Sequence, residues 1–585
     1  MPSHSRLAIF AHVLLPLAFV LASVAGLGSY YETNDDGLFT LLLRGQAASA
    51  PVADLHLYFH GFAWLWASLY TRWPGLPWFG LTLYALLLLA FTLLFVVLDR
   101  AARPRLRPGG RVVLLAGFYF IALLETVYWF NYSRVPLLLA GAGLLYALQR
   151  ANGPALVRRW ALLVGLGVVV VAGLLRPSMA LLGLLAVVPA AAWLPADSPG
   201  EDSDGRQFVG PRWWPFAPAA MRVLCWFAAL VLGGTLALSL SPAPAETRYL
   251  RRLDTLLVEL NDYHLRRPMP ATTADALALR GIQRWWLVAD STVFSPALFA
   301  RATRLDGPHF VTQVLPGKVV ASGWLLVRDY FPVLLALLFV GIEGEKARRR
   351  STPMRWPWYW SYIGFAALLF GLAMLLKLPP RLAGPLLALF LASQIAGVLR
   401  YAVRISQRVQ RLGLLFGVFV GLIYAAKTAH RVQLLRRVQL LRREQQLRGE
   451  FLARLQTQAG LRLVAVAGLE TSLKSLSPFH NYGPARVILL NGWPTLDPSQ
   501  PHFRQLLSGH RDLSAAVHYL AADSTVLWLM PPAFVPFYNN YLAHTARLPA
   551  PGLLFQRRTA SWPVADTALP VPVRPLPAPI TPGRP

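Results

Sequence analysis

Long apolar runs recur along the chain, broken by short clusters of arginine and proline. They lie near residues 7–28, 78–98, 112–131, 134–149, 160–176, 178–194, 221–241, 324–343, 358–376, 382–398 and 412–427. Most are close to the ~17–25 residues that an α-helix needs to cross a bilayer, and none alternates with the period of two that marks a barrel strand. The pattern predicts eleven transmembrane helices. The first is read as a retained helix, because its apolar stretch exceeds the usual signal-peptide core of about 7–15 residues.

The polar segments between the runs sort by charge. Four short loops are arginine-rich: Arg100, Arg103, Arg105, Arg107 and Arg111; Arg150, Arg158 and Arg159; Lys346 with Arg348, Arg349 and Arg350; Arg400, Arg404, Arg408 and Arg411. An inside N-terminus sends all four to the cytoplasmic face, as the positive-inside rule asks. The loop of residues 195–220 then reads as a flexible cytoplasmic linker. Outward go the first loop (29–77), Asn131–Arg134, the Arg176-Pro177 corner, the insert of 242–323 and the Lys377–Arg381 turn.

Beyond residue 427 the character changes. Residues 428–457 predict a basic amphipathic helix with an overlapping heptapeptide, Arg431–Arg437 and Arg437–Arg443, followed by strand-like runs at Leu461–Ala467 and Arg486–Leu490. A Pro-rich tail from about 562 reads as disordered. The expected fold is thus an all-α polytopic membrane domain (1–427) with a smaller α/β-like extramembrane domain (428–561) and a tail (562–585). An odd span count puts the basic helix outside, against the charge rule, from which long terminal domains are largely exempt.

Composition agrees with membrane insertion: 55% of residues are hydrophobic and 14% charged, against roughly 25% charged in soluble domains. The net charge of +29 would suggest nucleic acid in a soluble protein. Here the arginines punctuate apolar segments, so orientation and membrane-lipid headgroups are the expected use, and no nucleic-acid partner is expected. The single cysteine, Cys225, excludes an intrachain disulfide and a cysteine-based metal cluster.

Acids are scarce, and two stand side by side in Glu32-Thr33-Asn34-Asp35-Asp36-Gly37, at the head of the first outward loop. That loop holds two apolar stretches, Leu38–Leu43 and Leu55–Leu69, which predict helices lying in the interface. Asn34 or Asp35 suits the cap of the first. A carboxylate beside a second acid and apolar walls gains proton affinity and suits a general base for a hydroxyl. Two acids also suit a divalent metal, which the chemistry allows but does not require. Asp54, His56 and His60 form a second polar group, with His56 and His60 at the i, i+4 spacing of a metal site or, more simply, placed to bind an acceptor. Glu125 lies inside the third span, where a carboxylate needs a partner such as Arg134 or Arg176, or a cavity. Arg284-Trp285-Trp286 and Asp290 in the insert suit either sugar stacking or an interfacial belt.

The order of an apolar helix, an acidic pair, an outward loop with interface helices, many spans and an outward C-terminal domain resembles the GT-C type membrane glycosyltransferases. The run Asn34-Asp35-Asp36-Gly37 through Arg44-Gly45, then Pro51, Asp54, His56 and Leu69-Tyr70, is similar to the first-loop pattern of bacterial members. The resemblance covers roughly residues 1–427 and implies a polyprenyl-phosphate sugar donor, a glycan or lipid acceptor, and a bacterial cytoplasmic membrane with the reaction on its outer face. It implies that Asp35 or Asp36 is the catalytic base and that outward cations hold the donor phosphate, here Arg134, Arg176, Lys377 and Arg381. Two rival expectations are a transporter or flippase for lipid-linked saccharides, and a non-catalytic scaffold of envelope assembly.

Overall fold

The computed structural model describes residues 9–55, 59, 61–194, 218–240, 244–350, 355–401, 415, 417, 419–436, 463–467, 476–481, 486–545, 555–557 and 571–575, save positions 287, 289, 292, 524 and 532. These residues are mostly helical. Eight helices are long and apolar enough to cross a membrane: Phe10–Leu27, Trp78–Ala102, Pro108–Tyr128, Ala155–Leu175, Pro218–Ala237, Gly307–Lys346, Pro357–Leu375 and Pro380–Arg400. Two further expected spans are shorter apolar helices, Arg134–Gln149 and Pro177–Ala192. The Arg134–Gln149 helix is buried almost throughout, so neighbouring helices rather than lipid set its length. Of the expected span at 412–427 only part is described, and residues 419–436 run as one helix past its anticipated end. The linker of 195–220 and most of the basic helix, including the second heptapeptide, lie outside the described residues.

The chain divides into two compact units, each assembled from three separate stretches. The first, a helical unit, comprises residues 1–30, 80–241 and 317–435; the second, a mixed unit, comprises 31–79, 242–316 and 436–585.

Glycine sets the packing of the helical unit. A Cβ on Gly183 would stand 2.1 Å from the Leu137 carbonyl oxygen, and one on Gly165 would stand 2.9 Å from that of Gly143. Small residues let helix backbones approach where lipid supplies no hydrophobic drive between them. Polar residues gather in two groups. In one, Asp99 takes His12 at 3.0 Å, Arg103 at 3.0 Å and Arg111 at 2.8 Å. There too Arg105 donates to the Arg400 carbonyl, and Arg400 to that of Leu194, so three of the expected inside segments meet.

In the mixed unit the C-terminal region does not stand alone as a domain. Helix Ala245–Asn261 carries Leu253, Leu257 and Leu260 on one face, a stripe that it cannot bury by itself. Leu257, Ile282 and Phe299 from the insert share one core with Ile488, Leu520 and Trp528 from the C-terminal region. A five-stranded sheet runs in the order Val487–Leu489, Leu463–Val466, Val526–Met530, Val571–Pro575, Phe555–Arg557. The first three strands run parallel, and Val571–Pro575 is antiparallel to both of its neighbours. Two strands fall inside the expected runs. Val571–Pro575 forms a strand within the segment read as a disordered tail, because Val571 and Val573 alternate opposite Met530 and Trp528. The first loop docks here as well: Val487 N donates to Gln46 O at 2.9 Å, and Gln500 Nε2 to Ala47 O at 2.6 Å.

The glycine contacts set a test. Gly183→Ala places a methyl against a backbone carbonyl that cannot rotate away, so a loss of about 1–3 kcal/mol is expected, as for other overpacked interiors. Thermal unfolding in detergent reads it directly. Gly167→Ala, with nothing within 4 Å of the added carbon, leaves the transition in place; equal losses in both variants refute close packing as the reason for glycine at 183.

Candidate functional site

The second polar group of the helical unit begins with a proline. Pro332 lies within the helix Leu315–Arg350, where Tyr330 leaves helical geometry with φ −119° and ψ 15°. Proline has no N–H to offer the carbonyl four residues back, that of Arg328. Lys427 compensates, its Nζ lying 3.1 Å from the Arg328 oxygen and 2.6 Å from that of Asp329.

The same bend turns Asp329 and Tyr330 into a charged network. Asp329 meets Arg328 at 2.8 Å, Lys427 at 3.3 Å and Arg431 at 3.3 Å. Arg431 also reaches Glu125 at 2.9 Å, and Arg134 reaches the other oxygen of Glu125 at 3.4 Å. The Tyr330 hydroxyl stands 3.0 Å from Glu125 Oε1 and 2.8 Å from the Pro380 carbonyl. Glu125, Asp329 and Arg134 are all buried. The Arg431 guanidinium lies 4.3 Å from the Trp129 ring centroid, within cation–π range. Two carboxylates thus meet four cations, a surplus of positive charge beside a small cavity lined by Glu125, Arg134, Asp329, Tyr330 and Tyr424.

Of the partners expected for Glu125, Arg134 holds it and Arg176 does not. Arg176 occupies an extended corner before Pro177, donating to Tyr132 OH and Ser133 Oγ at 2.6 Å each. Arg381 is half-buried in the first turn of Pro380–Tyr401, and Lys377 is exposed just before it. Three of the four expected donor-phosphate residues are therefore linked within one unit: Arg176 touches the segment ahead of Arg134, Arg134 touches Glu125, and Glu125 connects through Tyr330 to Pro380, beside Arg381.

The acid pair belongs to the mixed unit and opens the helix Asp35–Leu43. Asn34 holds the cap position, but no side chain makes a capping hydrogen bond there, contrary to expectation. Asp35 is half-buried and accepts from Trp493 Nε1 at 2.9 Å, and the Trp493 ring packs 4.8 Å from that of Phe39. Asp36 is fully buried and accepts from Thr33 Oγ1 at 3.2 Å.

The remaining candidates scatter. Asp54 is exposed in a loop, since the second interface helix starts only at Phe62, after Gly61 at φ 91°. His56 and His60 lie outside the described residues. Trp286 packs against Phe534 and Phe537, and buried Asp290 accepts from Ser514 Oγ at 2.8 Å; this part of the insert is joined to the core. Among the described residues no three His, Cys, Asp or Glu side chains converge.

Sequence reasoning missed Asp329, Lys427, Arg431 and Trp493. Arg328-Asp329 inside an apolar run, followed by Pro332, was the available signal for the first. Arg431 was hidden in the heptapeptide, where it looked like its surface-bound copies.

The buried pairs set a second test. Glu125→Gln leaves Arg134 and Arg431 facing a neutral amide, and losing one partner of a buried pair typically costs about 3–5 kcal/mol. In a double-mutant cycle with Arg431→Gln, the combined variant should unfold well above the temperature that additivity gives. Strict additivity would mean that the two side chains do not interact.

The chain matches no family model, no curated protein and no solved structure, and its function rests on the geometry of its own residues.

Proposed function

We propose that the chain is a membrane glycosyltransferase that moves a sugar from a polyprenyl-phosphate donor to an acceptor hydroxyl at the outer face of a bacterial cytoplasmic membrane. The observation that carries this reading is the acid pair: a carboxylate that solvent can reach, Asp35, oriented by Trp493 and adjoining a second acid that is wholly buried. Asp35 is the better-placed base of the two. The acceptor oxygen attacks the anomeric carbon as its proton passes to the carboxylate. The bond from that carbon to the phosphate oxygen breaks, the configuration inverts, and the lipid phosphate leaves with the bonding pair. Arg176, Lys377 and Arg381 are the cations assigned to that phosphate, because guanidinium and ammonium groups stabilise charge that grows in the transition state.

Topology supports the outer face. The insert and the C-terminal region share a core and the first loop is hydrogen-bonded to the C-terminal region, so one side of a bilayer suits all three stretches, which calls for an even number of crossings between residues 79 and 242 and again between 316 and 436. The expected six and four runs would meet both conditions, and eight helices among the described residues are long and apolar enough to cross. With an inside N-terminus, the charge rule sends the arginine loops to the cytoplasmic side.

A second reading, a flippase for lipid-linked saccharides, gains from one observation, the buried charge of Asp329 and the half-buried charge of Arg431 beside Glu125. Sugar transfer in membranes separates the two. With a polyprenyl-phosphate-linked donor, Asp35→Asn is expected to lose about a hundredfold or more in rate, the usual worth of a positioned base, and Asp36→Asn to lose less. Full activity in the double variant removes the base assignment, whereas donor translocation without any transfer supports the flippase.

A further inference from the structure

Apart from the acid pair, the mixed unit holds a cavity of about 240 Å³, lined by Arg44, Gly45, Gln46, Tyr70, Pro74 and Arg486. Two of these six residues are arginines and none is acidic.

The local sequence builds this hollow. Helix Asp35–Leu43 ends at Arg44, and Gly45 turns the chain at φ 70°, where a Cβ would meet the Ala50 carbonyl carbon at 2.7 Å. The next two residues are tied down: Gln46 O accepts from Val487 N, and Ala47 O from Gln500 Nε2. Val487 begins the edge strand of the sheet, so Arg486, directly before it, comes to the same rim as Arg44. The Tyr70 hydroxyl is fixed by the Phe79 N–H at 3.1 Å, and the Arg44 guanidinium lies 6.0 Å from the Tyr70 ring centroid. Arg44 also donates to Gln46 Oε1 at 3.4 Å.

A favourable contact with the helix C-terminus explains an arginine at position 44. It does not explain a second arginine, delivered by a distant strand to the same hollow, where one bound anion would meet both charges. Burial pushes the Arg44 guanidinium below its usual pKa, with Tyr70 acting in the opposite direction. At neutral pH the group keeps its charge, and an anion beside it offsets the burial.

We propose that this cavity binds a phosphate monoester, clasped between the guanidinium groups of Arg44 and Arg486. The bearer is either a phosphorylated saccharide or a lipid headgroup, and the site does not depend on the transfer reaction proposed above. Arg486 is exposed, so Arg486→Gln removes one half of the clasp without disturbing a core.

The test uses the full chain in an uncharged sugar-based detergent, titrated at constant ionic strength with glucose 1-phosphate and with a short-chain phosphatidic acid, binding being followed by calorimetry. Saturable binding is expected for the unaltered chain, weakened about tenfold or more by Arg486→Gln, as for loss of a charge-assisted contact, and abolished in Arg44→Gln/Arg486→Gln. Tighter binding of glucose 1-phosphate assigns the site to saccharides, and tighter binding of phosphatidic acid to headgroups. Should neither probe bind saturably, or should Arg486→Gln bind both as the unaltered chain does with the same melting temperature, the assignment fails.

Discussion

A carboxylate among apolar helices stays ionised only if cations are brought to it, and in the helical unit that requirement reaches across four segments of chain. Glu125 draws in Arg134 and Arg431; Asp329 draws in Arg328, Lys427 and again Arg431. Each ion would cost several kcal/mol to bury alone. The helix of residues 419–436 is thereby fixed in register, since Lys427 and Arg431 stand one turn apart on one face and reach the same acid. The proline bend shares in this arrangement, because Lys427 also serves the carbonyls that the bend exposes.

The mixed unit solves a different problem, that of apolar faces too narrow to fold alone. The helix Ala245–Asn261, the short helices of the insert and the mixed sheet each present one apolar side, and they meet in one core. The first loop joins through one backbone hydrogen bond to the edge strand and one from the Gln500 side chain, which together hold Gln46 and Ala47. A further tie, from Trp493 to Asp35, links the acid pair to residues near the other end of the chain.

What the sequence made legible follows from the range of the forces involved. Apolar runs are local, and ten of the expected eleven correspond to apolar helices, two of them short. The acid pair was visible because carboxylates are scarce, and so was the need of Glu125 for a partner; Arg134, nine residues away, could be named. Arg431 could not, because a surface arginine and one paired with an interior acid look alike until the acid opposite is known. The shared core of the mixed unit was illegible for the same reason: its leucines carry no mark of which distant strand covers them. The strand at Val571–Pro575 was masked by proline-rich composition, which outweighed a short alternation of valines.

Burial and pairing also rank the cations by what they are able to do. Arg134 is fully buried against Glu125, and turning it toward a phosphate would strip a buried acid of a partner, at a cost comparable to the stabilisation that the phosphate would provide. Arg431 is committed twice over, to Glu125 and Asp329. The hydrogen bonds that Arg176 makes to Tyr132 and Ser133 go to neutral hydroxyls, and exchanging those two bonds for phosphate oxygens strands no charge. Lys377 is exposed and Arg381 half-buried, so they lose less solvation in meeting a ligand. The buried network therefore sets geometry, and in the proposed reaction the residues on the turns around it, Arg176 foremost, are the ones assigned to the donor phosphate.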